Sequence, residues 1–388
     1  MSRAAPRRRP ESYAGKRVAR KPPRTPGSDP VEPAAPVAEA GPATDAPEVR
    51  TTTPTPTTTR GSTAGRVAHG LGFTVWLVVV LASAAVLVAA LAGYVDDWVG
   101  DAGAVATSTA YTWGFAARTG GRPVVFSALT LVLGGVVVGV DDDTLRSGAA
   151  VVTAVLSAVF AVMATVPAVR LIGAVRENVV ALLIASVGAM ATLAWAPVVD
   201  LHRFEYTVLG VSLLAVFLSV YRLGAGFHGL GTRGVLAVAG GSVMLALTLG
   251  YAELLQRYGS HDLVAGLDDA VRWSHHHLGA FPRPIIALLG VPALTWGTHM
   301  RARRRQGWWV CAFGVALTAP VAYALVDPGR SVLSVVLATA YGALIGLVLG
   351  FLLIRLDLAL TGSRGRRLAK TEDAAALRPE PGRTHALW

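Results

Sequence analysis

The sequence has 388 residues, of which 53% are hydrophobic and only 15% are charged. A soluble globular domain carries roughly 25% charged residues, so this composition excludes a protein whose whole surface faces water. The formal net charge is +11, from 35 Lys and Arg against 24 Asp and Glu. The single cysteine, Cys311, excludes an intrachain disulfide and a multi-cysteine metal site within this sequence. No cofactor is expected.

The first 66 residues combine Pro, Ala, Thr and Arg with almost no large apolar side chains. Because such a segment buries too little surface to offset its ordering entropy, we predict residues 1–66 to be disordered. Its twelve basic residues include Arg7, Arg8 and Arg9, which we expect to contact anionic lipid headgroups. Nucleic acid is not expected, since only Tyr13 is available for base stacking. The first apolar segment follows too late for a signal peptide and is predicted to be a retained anchor.

Apolar segments recur from about residue 70 to residue 354. A helix of about 20 apolar residues spans the hydrocarbon core of a bilayer. A weaker segment, short and rich in small residues, lies between Asp101 and Arg118. Nine segments are clear, at approximately 70–95, 123–140, 148–168, 178–198, 206–226, 234–255, 284–299, 307–326 and 332–354.

The distribution of basic residues decides whether the weak segment crosses. If it does, 29 of the 35 basic residues lie on one side and six on the other, as expected when cytoplasmic loops collect Lys and Arg. If it does not, the Arg301–Arg305 loop and the C-terminal tail lie outside the cell, although both are rich in basic residues that favour the cytoplasmic side. We therefore predict an all-α, polytopic membrane protein with about ten crossings within residues 67–355, a disordered basic tail at each end, and both tails in the cytoplasm.

Two further features extend this prediction. Lysine occurs at only three positions, which indicates a GC-rich bacterial genome and hence a bacterial plasma membrane. Residues 356–388 form the basic C-terminal tail. In the loop between two late spans, four arginines are expected to contact lipid headgroups at the cytoplasmic surface: Arg301, Arg303, Arg304 and Arg305.

The long outer loop, about residues 256–283, contains apolar residues at helical spacing, including Leu263, Leu267 and Leu278. This pattern predicts an amphipathic helix at the membrane surface. Imidazole and carboxylate groups in the loop suit zinc binding or acid–base chemistry, but consecutive helical residues point about 100° apart. A solvated histidine run is therefore favoured over a metal or catalytic site. The weak metal candidates are His261, Asp262, His275, His276 and His277.

Small residues and prolines predict how the spans pack. Glycines four residues apart let two helices approach closely in lipid, and packing within the chain is favoured over a dimer interface. Prolines inside spans predict kinks, because a proline removes a backbone hydrogen bond. The glycines are Gly135 and Gly139 in one span and Gly342, Gly346 and Gly350 in the last; the prolines are Pro292 and Pro320.

We find no ionisable side chain predicted near the middle of a span, which weakens the case for a proton-coupled carrier. Ten helices, with kinks at Pro292 and Pro320 and small-residue packing that permits sliding, favour a transporter or lipid-handling permease. The alternative is a non-catalytic scaffold or accessory subunit of a cell-envelope assembly complex, with a protein partner at the cytoplasmic tails. A membrane enzyme using the outer histidine loop ranks last, so the chain is expected not to be an enzyme. Membrane lipids are the expected partners, and an oligomer is compatible with the glycine stripes.

Overall fold

A computed structural model describes residues 63–225, 231–304, 306–361, 380–383 and 385–387. The predictions for Arg7, Arg8, Arg9 and Arg305 lie outside these residues, as do those for residues 1–62 and 362–379. The first described helix begins at Thr63 and the last long helix ends at Thr361. The helical region therefore extends a few residues beyond both predicted boundaries, 67 and 355.

The described residues form twelve α-helices and two π-helical turns, with no β-strand among them. The π-helical turns are Tyr221–Ala225 and Ile286–Gly290. The α-helices are α1 (Thr63–Leu91), α2 (Asp97–Arg118), α3 (Pro123–Val140), α4 (Asp143–Met163), α5 (Leu171–Ala194), α6 (Leu201–Val220), α7 (Gly231–Tyr258), α8 (His261–Leu278), α9 (Val291–Arg301), α10 (Gly307–Ala312), α11 (Val315–Val326) and α12 (Val332–Thr361).

Eight helical stretches in the described part of the chain are long and apolar enough to cross a membrane. They identify a multi-pass, helical membrane protein. Large apolar side chains on α1, α3 and α12 point outwards, as they do where the surrounding solvent is lipid. The stretches are Leu71–Leu91, Pro123–Val140, Asp143–Met163, Leu171–Ala194, Leu201–Leu223, Gly234–Tyr251, Gly307–Val326 and Val332–Leu360.

Two of the ten predicted crossings are not among these eight stretches. They are α2, which is rich in small and polar residues, and the 16-residue stretch 286–301 formed by a π-helical turn and α9. Both lie in the interior of the helix bundle, where most of their side chains contact other helices. A helix surrounded by protein needs less apolar surface than one that faces lipid, which explains their weak hydropathy.

Helix α2 runs parallel to α4 over its whole length. At its beginning, the carboxylate of Asp101 accepts two hydrogen bonds from the guanidinium of Arg146 in α4, at 3.0 and 2.8 Å. At its end, Nε of Arg118 donates to the carbonyl of Met163, the last residue of α4. Because α4 is one of the eight apolar stretches, α2 reaches from one end of such a stretch to the other.

Helices α10 and α11 occupy the centre of the bundle, and almost all residues of Gly307–Val326 are buried. Helix α11 packs against α4, α5 and α6. The central stretch is interrupted at Phe313 and Gly314, where the N–H of Gly314 donates to the carbonyl of Cys311. The core is therefore organised around a broken helix that is enclosed by protein.

Irregular backbone lies beside one of the two prolines that were predicted to kink a span. The π-helical turn Ile286–Gly290 directly precedes Pro292, and the N–H of Val291 donates to the carbonyl of Ile286. Pro320 lies inside α11, downstream of the interruption between α10 and α11. A proline cannot donate a hydrogen bond to the preceding turn, so Pro292 suits a helix start that follows a π-helical turn, and the kink at Pro320 stays a prediction.

The two predicted glycine stripes face different surroundings. A Cβ atom built on Gly346 would lie 2.6 Å from Cβ of Val291. The corresponding distances are 3.0 Å from Gly342 to Cγ2 of Ile286 and 2.7 Å from Gly350 to Cβ of Thr295. The stripe on α12 therefore packs on the stretch 286–301. Gly135 and Gly139 on α3 have no heavy atom within 4 Å of such a Cβ; Gly134 is the α3 glycine that meets another helix, at Val105.

The contrast between the two stripes predicts the effect of adding one methyl group. Gly346→Ala forces Val291 or the backbone of α9 to move, and overpacking of this kind costs roughly 1–3 kcal/mol. The matched variant, Gly135→Ala, adds its methyl group in open space and is expected to leave thermal unfolding in detergent unchanged or slightly improved. An equal loss of stability in the two variants would contradict the packing described above.

Candidate functional site

The structure does not bring the predicted metal candidates together. His261 and Asp262 begin α8, whereas the three histidines end it, about 20 Å away at 1.5 Å per residue. His277 stacks on Trp273, and its Nδ1 lies 2.9 Å from the carbonyl of that residue. His275 and His276 are exposed. Among the described residues, no group of three His, Cys, Asp or Glu side chains could hold a metal ion.

Arg301 is not at the surface, contrary to its predicted contact with lipid headgroups. Its side chain is fully buried at the end of α9, where its guanidinium lies 3.4 Å from the ring centre of Trp308. The prediction failed because the loop after α9 is very short, so that α10 folds directly over Arg301. Arg303 and Arg304 are partly exposed at the same end of the bundle.

Arg301 belongs to a group of buried charges at one end of the helix bundle, which we call the charge cluster. It joins the ends of α2, α5 and α9 to a segment far along the chain, residues 380–387. The cluster consists of Arg118, Glu177, Arg301, Glu380 and Arg383.

Glu177 holds the cluster to the start of α5 and is fully buried. One carboxylate oxygen accepts the backbone N–H of Val166 at 2.9 Å. Both oxygens accept hydrogen bonds from the guanidinium of Arg383, each at 2.9 Å. Arg176, which is 65% exposed, contacts the same carboxylate from the solvent side. Glu177 therefore ties the loop before α5 to the 380–387 segment.

Arg301 makes the second connection to that segment. Its guanidinium donates to the carboxylate of Glu380 at 2.8 Å. It also donates to the side-chain and backbone oxygens of Thr165, at 2.8 and 3.1 Å. With Trp308 on its flat face, this guanidinium is fixed in position from several directions.

Arg118 makes the third connection, through backbone oxygens alone. It donates to the carbonyls of Pro381, Gly382 and His385 at 3.3, 2.8 and 3.0 Å. In return, the N–H of Leu387 donates to the carbonyl of Arg118. Four backbone groups in the described part of the 380–387 segment are thus hydrogen-bonded to the end of α2.

Sequence reasoning missed this cluster for an identifiable reason. Arg118, Glu177 and Arg301 each lie at the edge of an apolar segment, where a charge normally extends to the interface. Their burial depends on the 380–387 segment, which was predicted to be part of a disordered basic tail. The available signal was the presence of both an acidic and a basic residue, Glu380 and Arg383, near the end of the tail, and it is too weak to identify a buried segment.

An apolar groove of about 380 Å³ runs from the charge cluster along α1, α2, α4 and α5. Aromatic rings form its walls, and Trp76 stacks between Phe73 and Trp113 at centre distances of 5.7 and 6.4 Å. Arg118 and Arg383 line its charged end. Because Leu183, a lining residue, is 62% exposed, the groove is open towards the side of the bundle that faces lipid.

A second cavity of about 730 Å³ lies at the other end of the same four helices and is acidic. Asp97, Asp101, Asp141 and Asp143 line it together with Arg146. Arg146 is shared between Asp101 and Asp141, with its Nε 2.7 Å from an oxygen of Asp141. Three of these carboxylates, on Asp97, Asp141 and Asp143, are exposed.

A hydrogen-bonded layer of small side chains separates the groove from the acidic cavity. Thr153 contacts the hydroxyl of Ser108 at 3.0 Å and accepts the indole N–H of Trp195 at 3.0 Å. Gly188 of α5 approaches α4 so closely that a Cβ there would lie 2.0 Å from Oγ of Ser157. Along α1, the lining residues of the two cavities are six positions apart, about 9 Å of helix. The two cavities are therefore separated along α1 by less than two helical turns.

Comparisons with known proteins identify no relative: no protein-family model, curated protein or solved structure matches this chain.

The charge cluster predicts the effect of removing one buried charge. Glu177→Gln leaves Arg383 without its carboxylate, which is expected to lower the free energy of unfolding by about 1–3 kcal/mol. Arg176→Gln removes a neighbouring charge that is mostly exposed, and its effect should stay below about 1 kcal/mol. Thermal unfolding of the two variants in detergent measures the difference. Equal stabilities would show that Glu177 is not held as described.

Proposed function

We propose that this chain is a transporter or lipid-handling permease that moves an amphiphilic molecule along α1, α2, α4 and α5. The observation that carries the proposal is the pair of cavities at opposite ends of these four helices, separated by the layer around Thr153. Movement of a molecule between the two ends requires an opening at each end and a layer between them that can open. The broken central helix, α10 with α11, supplies a place where the bundle can bend.

The chemistry of the groove favours a substrate with an apolar chain and an anionic group. Aromatic and aliphatic side chains line most of it, which suits an acyl or prenyl chain, and Arg118 with Arg383 at its end suits a phosphate or carboxylate. Lateral exposure of the groove would admit such a molecule directly from the bilayer. A small polar solute fits this lining poorly, because few polar groups line the groove to replace its water shell.

The same proposal includes the finer arrangement in the membrane. Ten crossings in a bacterial plasma membrane, with both ends in the cytoplasm, would put the charge cluster on the cytoplasmic side and the acidic cavity outside. Support comes from the parallel course of α2 and α4, and from the position of Arg118, Glu177 and Arg301 at one end of the bundle. This arrangement agrees with the distribution of basic residues.

A scaffold within an envelope-assembly complex is the second candidate. The face of α3 that carries Gly135 and Gly139 meets no other part of the described chain, and apolar residues of α8 such as Leu263 and Trp273 are exposed. These surfaces are compatible with a partner helix or an oligomer. We rank this reading second because it leaves the two cavities without a role.

Filling the groove tests the proposed function. Leu183→Trp places a large ring in the groove, and Leu214→Trp makes the same change on α6, where residue 214 is 68% exposed and lines none of the cavities described above. We expect the first variant to slow transbilayer movement of fluorescent phosphatidylglycerol in proteoliposomes by about tenfold or more, a barrier increase of about 1.4 kcal/mol. The second should behave like the unaltered chain.

Empty liposomes and liposomes with heat-inactivated protein serve as controls for leakage. If the unaltered chain moves neither phosphatidylglycerol nor phosphatidylcholine faster than these controls, the permease proposal fails for phospholipids. Equal rates in the two tryptophan variants would show that any movement does not use the groove.

A further inference from the structure

The 380–387 segment contacts Arg118, Glu177 and Arg301 of the helix bundle in the way that a ligand contacts a binding site. It has no helix or strand of its own among its described residues. Its contacts to the bundle include one carboxylate, one guanidinium and a row of backbone carbonyls. Eighteen residues separate it from the end of α12 at Thr361, so its position does not follow from the helix that precedes it.

The bundle side of the cluster is a built receptor for a negative group. Arg301 is completely buried and Arg118 is 2% exposed. Each is fixed by oxygens of the bundle itself: Thr165 for Arg301, and the carbonyl of Met163 for Arg118. A guanidinium held in this way presents its remaining N–H groups in a fixed plane, which matches the oxygens of a phosphate or carboxylate.

The segment supplies the negative group that this receptor requires. Without residues 380–387, the bundle has two buried guanidiniums, on Arg118 and Arg301, but only the carboxylate of Glu177, which Arg176 also contacts. A buried charge that loses its partner is strongly unfavourable. The carboxylate of Glu380 pairs with Arg301. At Arg118, three backbone carbonyls of the segment accept hydrogen bonds instead, and no carboxylate of the described chain lies within 4.0 Å.

We propose that Arg118 and Arg301 form a binding site for a phosphate or carboxylate group, and that the 380–387 segment occupies this site as a built-in competitor. Glu380 then stands where the anionic group of a ligand binds. This inference deepens the proposed function, because Arg118 also ends the apolar groove. It concerns binding alone, so it stands or falls separately from any transport activity.

Weakening the competitor tests the proposal in the full chain. Glu380→Gln removes the negative charge at Arg301 and keeps the shape of the side chain. Because the site is then free for a larger fraction of the time, its apparent affinity for an anion should rise by about tenfold. Ala386→Gln is the matched control, since it alters an exposed residue of the same segment without changing a charge. A chain that ends at residue 379 should show at least the gain of Glu380→Gln.

Two probes distinguish the sources of the anionic group. Inorganic phosphate is titrated by calorimetry into protein in neutral detergent, and phosphatidylglycerol is offered in phosphatidylcholine nanodiscs and counted by native mass spectrometry. If Glu380→Gln raises the affinity for phosphatidylglycerol alone, the ligand is a lipid headgroup. If it raises the affinity for inorganic phosphate, whether or not the affinity for the lipid also rises, the site accepts small anions. Either increase in affinity supports the binding site.

A second substitution shows whether the gain uses the proposed residues. Adding Arg301→Lys to Glu380→Gln keeps the positive charge but removes the planar pair of donors, so the gain should fall several-fold. Arg304→Lys, on a partly exposed residue at the same end of the bundle, should leave it unchanged. The proposal would be overturned if the affinity for both probes were unchanged in Glu380→Gln and in the shortened chain. It would also be overturned if Arg301→Lys did not reduce the increase in affinity.

Discussion

Charges buried inside protein need partners, because the surrounding side chains exclude the water that would hydrate them. In this protein, Arg118, Glu177 and Arg301 end or begin three different helices, and each is paired with the 380–387 segment. The pairing fixes which helix ends lie side by side. It also brings the end of α2, the start of α5 and the end of α9 together with a segment that the last helix alone would not position.

The same constraint connects the fold to the proposed function. The charge cluster ends the apolar groove, and the groove shares its four helices with the acidic cavity at the opposite end. Between the groove and the acidic cavity lies a layer formed by Ser108, Thr153 and Gly188, where the helices pack closely because the side chains are small. A permease for an amphiphile would require these parts in this order: a charged end, an apolar groove, a thin barrier and a second opening.

Much of the fold follows from the sequence, but the candidate site does not. Apolar length and the distribution of arginines indicate a helical membrane protein, and the spacing of Gly342, Gly346 and Gly350 identifies a stripe that the structure places against α9. Hydropathy describes contact with lipid, so it is least informative for α2, which contacts protein. The charge cluster depends on a contact between Arg301 and Glu380 that joins residues 79 positions apart, and no local pattern encodes such a contact.

We propose that α2 carries the chain across the membrane, so that Arg118 and the charge cluster lie on the cytoplasmic side. Single cysteines placed before and after α2 test it, at Tyr94, which is 84% exposed, and at Arg122, in a chain with Cys311→Ala. A membrane-impermeant maleimide should label residue 94 in right-side-out vesicles and residue 122 only in inside-out vesicles. Labelling of both positions from the same side would contradict the account.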